Sequence, residues 1–310
     1  MSQSKPIVMR KTRDFGEKLN ATIAFIRANF TGLFRSIIFI GGPFMLITSV
    51  LMGLNQNNVL SLSSLNSQPF GSTDELVTEV IAVSVLTMLF SILTMSLIVT
   101  IINEYIILYL EKQSSQIEPS EVWQRVKKDY LMILISSIGY TVIVLIGTVF
   151  FVLPGIYLFV TLSLIYIVQI AERKGFFSAM SRCISIINGK WWSTFGINIV
   201  CWVIWGVLLY ALLIPYHIFT FAELFHDISE AGNTEFFEEP SGITKGLTIF
   251  FSAFYMVGNY ILMIIPVIGI AFQYFNLVER KESTGLMQKI DSFGAQRSTT
   301  VQREEENEEY

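Results

Sequence analysis

The chain has 310 residues, of which 52% are hydrophobic and 15% are charged. Soluble domains carry roughly 25% charged residues, so the composition excludes an ordinary soluble domain and indicates a protein built for lipid, with no nucleic-acid partner expected. The formal net charge of −4 reflects acidic residues concentrated at 304–310 and in the segments between the apolar runs.

The N-terminal segment, 1–14, is polar and basic and is expected to be disordered. From Phe15 onward, apolar residues recur at spacings of three and four, which is the period of an amphipathic helix. The apolar face holds Leu19, Ile23, Ile26 and Phe30, and the opposite face holds Lys18, Asn20, Thr22 and Arg27. The pattern predicts a helix that lies in the membrane interface with its basic face toward water.

Six apolar segments follow this helix, and each approaches the length of a membrane crossing. A helix needs about 20 apolar residues to cross a hydrocarbon core about 30 Å thick. The segments lie at about 36–54, 76–110, 130–152, 155–171, 192–213 and 249–275. They predict an all-α, polytopic membrane bundle of about six transmembrane helices, forming one domain over 15–282.

Two of these helices come from a single uncharged run, 130–171, which is too long for one crossing. Leu153-Pro154-Gly155, near its middle, is expected to form the turn, because proline interrupts the helical hydrogen bonds and glycine permits a tight reversal. Pro215 is expected to end the fifth helix for the same reason.

The connecting segments differ in character. Residues 55–75 are rich in Asn and Ser, and 216–245 are acidic, so both are expected to be external loops. A second amphipathic segment, 177–191, is expected to lie on the cytoplasmic side of the membrane, opposite these external loops. The tail, 283–310, ends in an acidic stretch and is expected to be largely disordered.

The distribution of basic residues predicts the orientation. Of the 21 Lys and Arg residues, all but Lys245 fall within 1–35, 112–128, 173–190 or 280–303. Cytoplasmic loops of membrane proteins carry an excess of Lys and Arg, so both termini are predicted to be cytoplasmic. The basic interfacial segments are expected to attract anionic lipids at that face.

Few strongly polar side chains fall within the predicted helices. Glu79 and Glu104 are expected near opposite ends of the second helix, within reach of water, and their position disfavours an ion-coupled pump. Asn198, Asn259 and Gln273 lie deeper and are candidate residues of a polar cavity. Amides of this kind more often bridge neighbouring helices than bind a substrate.

One pattern in the acidic external segment resembles a metal site. His226 lies three residues after Glu223 and four before Glu230, so one helical face would present all three side chains. Zinc sites need about three protein ligands. An amphipathic interfacial helix with acidic residues toward water accounts equally for this spacing, so the three residues are weak candidates and no metal or other cofactor is expected.

No pattern in the chain points to catalysis. It contains no glycine-rich phosphate loop, nucleophile elbow or metalloprotease motif, and no catalytic residue is assigned. Cys183 and Cys201 form no disulfide framework and are expected to be small apolar fillers. Pro43, Pro154 and Pro266 interrupt apolar segments, which is typical of transporter sites built from broken helices and equally of ordinary kinks.

Short motifs between 153 and 196 resemble a known family. They are Leu153-Pro154-Gly155-Ile156-Tyr157, Glu172, Gly175, Ser185, Gly189-Lys190-Trp191-Trp192 and Gly196. They resemble bacterial six-helix membrane proteins that include the membrane domain attached to some glycerophosphoryl diester phosphodiesterases. The resemblance implies a bacterial inner-membrane module, and it carries no phosphodiesterase chemistry because the family's separate catalytic barrel has no counterpart here.

Three functions therefore remain open. The first, which we favour from sequence, is a non-catalytic scaffold, regulatory or membrane-organising module with a membrane-protein partner. The second is a transporter of a lipid or small neutral molecule, which a polar cavity would favour. The third is an enzyme acting on lipid head groups through an external metal site at His226.

Overall fold

The computed structural model describes residues 7–64, 73–230 and 242–283, and this part of the chain is helical, with no strand. Six helical segments are long and apolar enough to cross a membrane, as predicted, so the chain is a multi-pass membrane protein of the all-α class. These candidate spans are Phe15–Gln56, Val77–Lys112, Pro119–Phe150, Val152–Glu172, Trp191–Pro215 and Ile249–Glu282.

The described residues form ten α-helices. They are α1 (Phe15–Ser36), α2 (Gly42–Ser64), α3 (Thr73–Lys112), α4 (Pro119–Phe150), α5 (Val152–Leu162), α6 (Ile165–Glu172), α7 (Phe176–Ile187), α8 (Trp191–Glu230), α9 (Gly242–Leu262) and α10 (Ile264–Glu282). A π-helical turn, Ile37–Gly41, joins α1 to α2 without a break. The first membrane helix is therefore longer than the predicted segment 36–54.

The buried face of the first helix is rotated by about one residue, or about 100°, from the predicted apolar face. Asp14 caps α1, and Glu17 completes a capping box. Its buried face holds Lys18, Thr22, Phe25, Asn29, Leu33 and Ser36, whereas Ile23 and Phe30 are exposed. The face that is mostly polar therefore packs into the bundle, against α10 in particular. The prediction that Lys18 faces water is wrong, because polar partners on α8 and α10 accept its ammonium group.

The pair α4 and α5 forms a hairpin with one residue between the helices. That residue is Phe151, whose backbone is extended, and Pro154 lies in the first turn of α5. The reversal therefore precedes the predicted Leu153-Pro154-Gly155 turn by two residues. Large apolar side chains at the tip, from Val149 to Leu153, are 62–79% exposed.

Prolines in the apolar segments occupy two kinds of position. Pro154 and Pro266 lie in the first turn of a helix, where a missing N–H leaves no hydrogen bond unmade. Pro43 follows the π-helical turn within a continuous helical segment, and α8 continues through Pro215 to Glu230. The apolar, membrane-spanning part of this helix ends at Pro215, as predicted for the fifth span.

The packed core lies toward the end of the bundle that carries the basic residues, here called the basic end. Helices α3, α4, α6, α7 and α10 each begin or finish there, and the last part of α10 is almost wholly buried. Toward the opposite end the helices expose apolar surface suited to lipid, including Ile81, Val85, Val203 and Val207.

The second amphipathic segment, predicted at 177–191, is α7 followed by a short turn. Ala179, Cys183, Ile186 and Ile187 are buried against the bundle, whereas Phe177 is 75% exposed. The helix thus packs onto the basic end by one face and presents an aromatic side chain on the other.

Burial raises the pKa of the Cys183 thiol to about 12, and the neighbouring Glu172 carboxylate adds to this effect. Because the thiolate is the reactive form, we expect Cys183 in the folded protein to resist maleimide at mildly alkaline pH and to react fully after denaturation. Mass spectrometry of labelled Cys201→Ser protein measures this directly. Rapid labelling of the folded protein would contradict the burial of α7.

Candidate functional site

A cavity of about 470 Å³ lies between the helices, and residues from α3, α4, α5, α6, α8 and α10 line it. Half of the residues in the wall are Met, Ile, Val, Phe or Pro. Its polar members are Ser91, Ser96, Asn103, Ser137, Tyr140, Thr141, Ser163, Tyr166, Asn198 and Trp202. Small-molecule sites commonly measure about 300–1,000 Å³ and combine apolar walls with a few polar groups, so this cavity has the character of a binding site.

Two breaks in the helices shape the cavity. Helix α5 ends at Leu162 and α6 resumes at Ile165, which places Ser163 at the wall. Helix α9 ends at Leu262, and α10 begins at Ile264 with Pro266 in its first turn. Met263 and Pro266 both line the cavity. The broken-helix hypothesis for Pro266 therefore corresponds to an actual discontinuity beside a cavity.

Asn198 supplies the most informative polar group in the wall. Its amide nitrogen donates to Thr194 O at 3.0 Å and to Ser163 Oγ at 3.2 Å. Its side-chain oxygen is buried and has no hydrogen-bond partner among the described residues. Asn198 is 2% exposed, so this acceptor is desolvated and a ligand in the cavity would stabilise it.

Trp202, one helical turn after Asn198, offers the complementary group. Its indole N–H is buried and likewise unpartnered within the described part of the chain, and its ring packs against Trp205 and Phe159. Asn198 and Trp202, one helical turn apart, both line the cavity, and they carry one buried acceptor and one buried donor without partners among the described residues. This pair fits a neutral polar group, such as a hydroxyl or amide, that both donates and accepts.

The cavity opens on the apolar side of the bundle. Met88 on α3 and Thr141 on α4 line it and are exposed, with 62% of Met88 accessible. Helices α3 and α4 there present apolar side chains outward, including Leu89, Ile138 and Val142. The entrance therefore faces the region where lipid chains surround the protein.

Only one of the three predicted cavity residues lines this cavity. Asn198 does, whereas Asn259 lies on α9 and Gln273 on α10, and neither is part of the wall. The Asn259 side-chain oxygen is buried without a partner among the described residues. Gln273 is fully buried and belongs to a different polar cluster, described next.

That cluster surrounds Lys18, which is 2% exposed. Its ammonium nitrogen donates to Gln273 Oε1 at 2.7 Å and to Ser193 Oγ at 2.9 Å. Gln273 in turn donates from Nε2 to Thr194 Oγ1 at 2.9 Å. Since Asn198 donates to the Thr194 carbonyl, a continuous chain of hydrogen-bonding groups connects the buried lysine with the cavity wall.

Ion pairs fasten the helices at the basic end. Glu172 accepts from Arg182 Nε at 2.8 Å and from the Tyr274 hydroxyl at 3.0 Å, and it pairs with Lys174 at 2.7 Å. Arg173 pairs with Asp129, which joins the end of α6 to α4. These pairs hold the connections that follow α6 against the bundle.

Glu104 is the residue that the sequence interpretation placed incorrectly. It was expected within reach of water, but its side chain is 0% exposed in the middle of the basic-end core. Neither carboxyl oxygen has a hydrogen-bond partner among the described residues. The signal that points to it is its single charge within an apolar run of α3 that ends only at Glu111. Glu79, the other acid on this helix, is exposed as expected.

The weak metal candidates lie on the last part of α8. The backbone of Glu223, His226 and Glu230 is helical, but their side chains fall outside the described residues, so the site remains a prediction. Among the side chains that the structure describes, no group of three or more His, Cys, Asp and Glu is placed to hold a metal ion.

Comparisons with known proteins assign no function to this site. No protein-family model, curated protein or solved structure matches the chain. The resemblance to the membrane domain of glycerophosphoryl diester phosphodiesterases therefore remains a hypothesis.

Proposed function

We propose that this protein is a non-catalytic membrane protein that binds a small neutral amphipathic molecule in its central cavity. The observation that carries the proposal is the unpartnered pair on α8, the Asn198 oxygen and the Trp202 indole N–H, within an otherwise mostly apolar wall. A buried polar group without a hydrogen bond is costly, and a ligand with a hydroxyl or amide would satisfy both groups.

The shape and chemistry of the cavity narrow the ligand class. Its volume of about 470 Å³ suits a single-chain or compact molecule. The described lining contains hydroxyls, amides and an indole, and no carboxylate, imidazole, thiol or amine. A neutral ligand therefore fits better than an ion, and this lining offers no group typical of acid–base or nucleophilic catalysis.

The opening beside Met88 and Thr141 suggests the route of entry. A ligand that partitions into lipid would reach the cavity between α3 and α4 without crossing water. This favours a carrier or transporter of a lipid-like or small neutral molecule over the scaffold role that the sequence suggested. The enzyme hypothesis depends on His226 and gains no support from the cavity.

A scaffold or regulatory role is a second candidate, favoured by the exposed aromatics of the basic end. Phe177 and Trp192 are 75% and 77% exposed, and Lys190 lies two residues before Trp192. Aromatic and basic side chains together anchor proteins to an anionic lipid surface. The same surface would also accept a membrane-protein partner.

We further propose that the protein resides in a bacterial cytoplasmic (inner) membrane with both termini in the cytoplasm. The clustering of Lys and Arg into four zones supports this orientation. The resemblance noted between 153 and 196 supports the bacterial origin.

Replacing Asn198 with Leu tests the binding proposal. In liposomes, a brominated monoacylglycerol should quench the fluorescence of Trp202, and Asn198→Leu should weaken that binding about tenfold, since one hydrogen bond contributes about 1–1.5 kcal/mol. The part of the fluorescence quenching that is lost in Trp202→Phe arises from Trp202, at the cavity wall.

Asn259→Leu is the matched control, because Asn259 is also a membrane amide but does not line the cavity. It should leave quenching unchanged. Equal effects of the two substitutions, or quenching that is insensitive to Trp202→Phe, would refute binding at this site.

A further inference from the structure

Glu104 is a buried acid that forms no ion pair with any of the described residues. It lies on α3, and its side chain is 0% exposed with both oxygens unpartnered among the described residues. An ionised carboxylate in such a place is strongly disfavoured, and membrane proteins retain ionisable residues within their helices chiefly for function.

The charged side chains around Glu104 form ion pairs that do not include Glu104. Those that act on it electrostatically are Asp129 and Arg125 on α4 and Arg173 after α6. Asp129 pairs with Arg173, and Arg125 pairs with Glu111 at the end of α3. The two acid–base pairs cancel, which leaves Glu104 as the surplus carboxyl of the group.

A route to water exists on one side of Glu104. The side chain of Asp129 is 12% exposed and that of its partner Arg173 is 55% exposed. Both lie at the basic end, so a proton needs to pass only the Asp129–Arg173 pair to move between solvent and Glu104. A metal cation fits less well, because hard cations require about six oxygen ligands and this group provides two carboxyls, one of them already paired.

The cavity lies on the other side. Asn103, the residue before Glu104, is 2% exposed and lines the cavity. Val99 and Ser96, about one and two turns earlier on α3, line it as well. A displacement of this part of α3 on ligand binding would therefore change the surroundings of Glu104 directly.

We infer that Glu104 is a proton-binding residue: it takes up one proton from water at the basic end, past Asp129, and releases it by the same route. We further infer that this proton controls ligand binding in the adjacent cavity, a coupling that rests on the proposed function. The protonated carboxyl is neutral, and loss of the proton places a negative charge beside Asp129 and behind the cavity wall.

Infrared spectroscopy of the protein in liposomes tests the proton site without any ligand. At neutral pH, where exposed carboxyls are ionised, the protein should show the carbonyl band of a protonated carboxylic acid, and this band should disappear in Glu104→Gln. Glu79→Gln is the matched control, since Glu79 is exposed on the same helix, and it should retain the band. A spectrum without the band, or a band that persists in Glu104→Gln, would overturn the assignment.

A separate measurement tests whether the proton on Glu104 controls ligand binding. Quenching by brominated monoacylglycerol should give a dissociation constant that changes at least several-fold with pH in the wild type and not in Glu104→Gln. The same pH dependence in both proteins would overturn the coupling. If the infrared band is present but the probe binds at no pH, the cavity proposal fails and the proton site stands.

Discussion

Replacing Gln273 with Leu is expected to destabilise the protein by about 2–3 kcal/mol. The substitution removes the acceptor that lies 2.7 Å from the Lys18 ammonium and leaves a buried cation with Ser193 as its remaining partner at 2.9 Å. Hydrogen bonds to charged groups contribute about 1.5–3 kcal/mol, and an uncompensated buried charge adds to the loss. Denaturant unfolding in detergent micelles measures the change.

A double-mutant cycle separates this effect from a simple packing defect. Lys18→Met removes the charge that needs the acceptor, so the double variant should recover much of the stability that Gln273→Leu loses. Gln124→Leu, at an exposed position of α4, should cost little. Strictly additive effects of Lys18→Met and Gln273→Leu would show that the two side chains do not interact as described.

Replacing Gly155 with Ala is expected to open the α4–α5 hairpin. A Cβ at this position would lie 2.7 Å from the Thr148 Cα and 2.8 Å from the Thr148 nitrogen. These are backbone atoms, so the helices must move apart, and overpacking of this kind costs about 1–3 kcal/mol. Small residues permit such close helix contacts in membranes.

Gly206→Ala is the control for this second substitution. Gly206 lies within α8, where an added Cβ meets nothing within 4 Å, so the change should be neutral or stabilising by up to about 1 kcal/mol. Thermal unfolding followed by circular dichroism compares the two variants. Equal melting temperatures for Gly155→Ala and the wild type would mean that the hairpin is not packed this closely.

Helix number and class were predictable because they depend on local properties. Apolar length sets a membrane span whatever surrounds it, and the length of the uncharged run 130–171 identified the α4–α5 hairpin. The turn itself was placed two residues late, since Pro154 fits the first turn of a helix as well as it fits a reversal.

The inward face of a membrane helix was not predictable in the same way. In water, the apolar stripe of α1 would turn inward, but a helix surrounded by lipid can direct its polar stripe toward the bundle. Lys18 and Asn29 are buried for this reason, and the partners that accept Lys18 lie 175 and 255 residues away. The cavity likewise depends on α8 and α10 meeting α3, which no local pattern encodes.

The tip of the α4–α5 hairpin ties the fold to the thickness of its host membrane. Phe150, Phe151 and Leu153 are 71–79% exposed, with a single residue forming the turn. In a bilayer thick enough to cover them, these side chains remain in contact with acyl chains. Shorter acyl chains would bring them into water, and hydrophobic mismatch costs fractions of a kcal/mol per Å. Membrane composition is therefore a physical variable to which this hairpin responds.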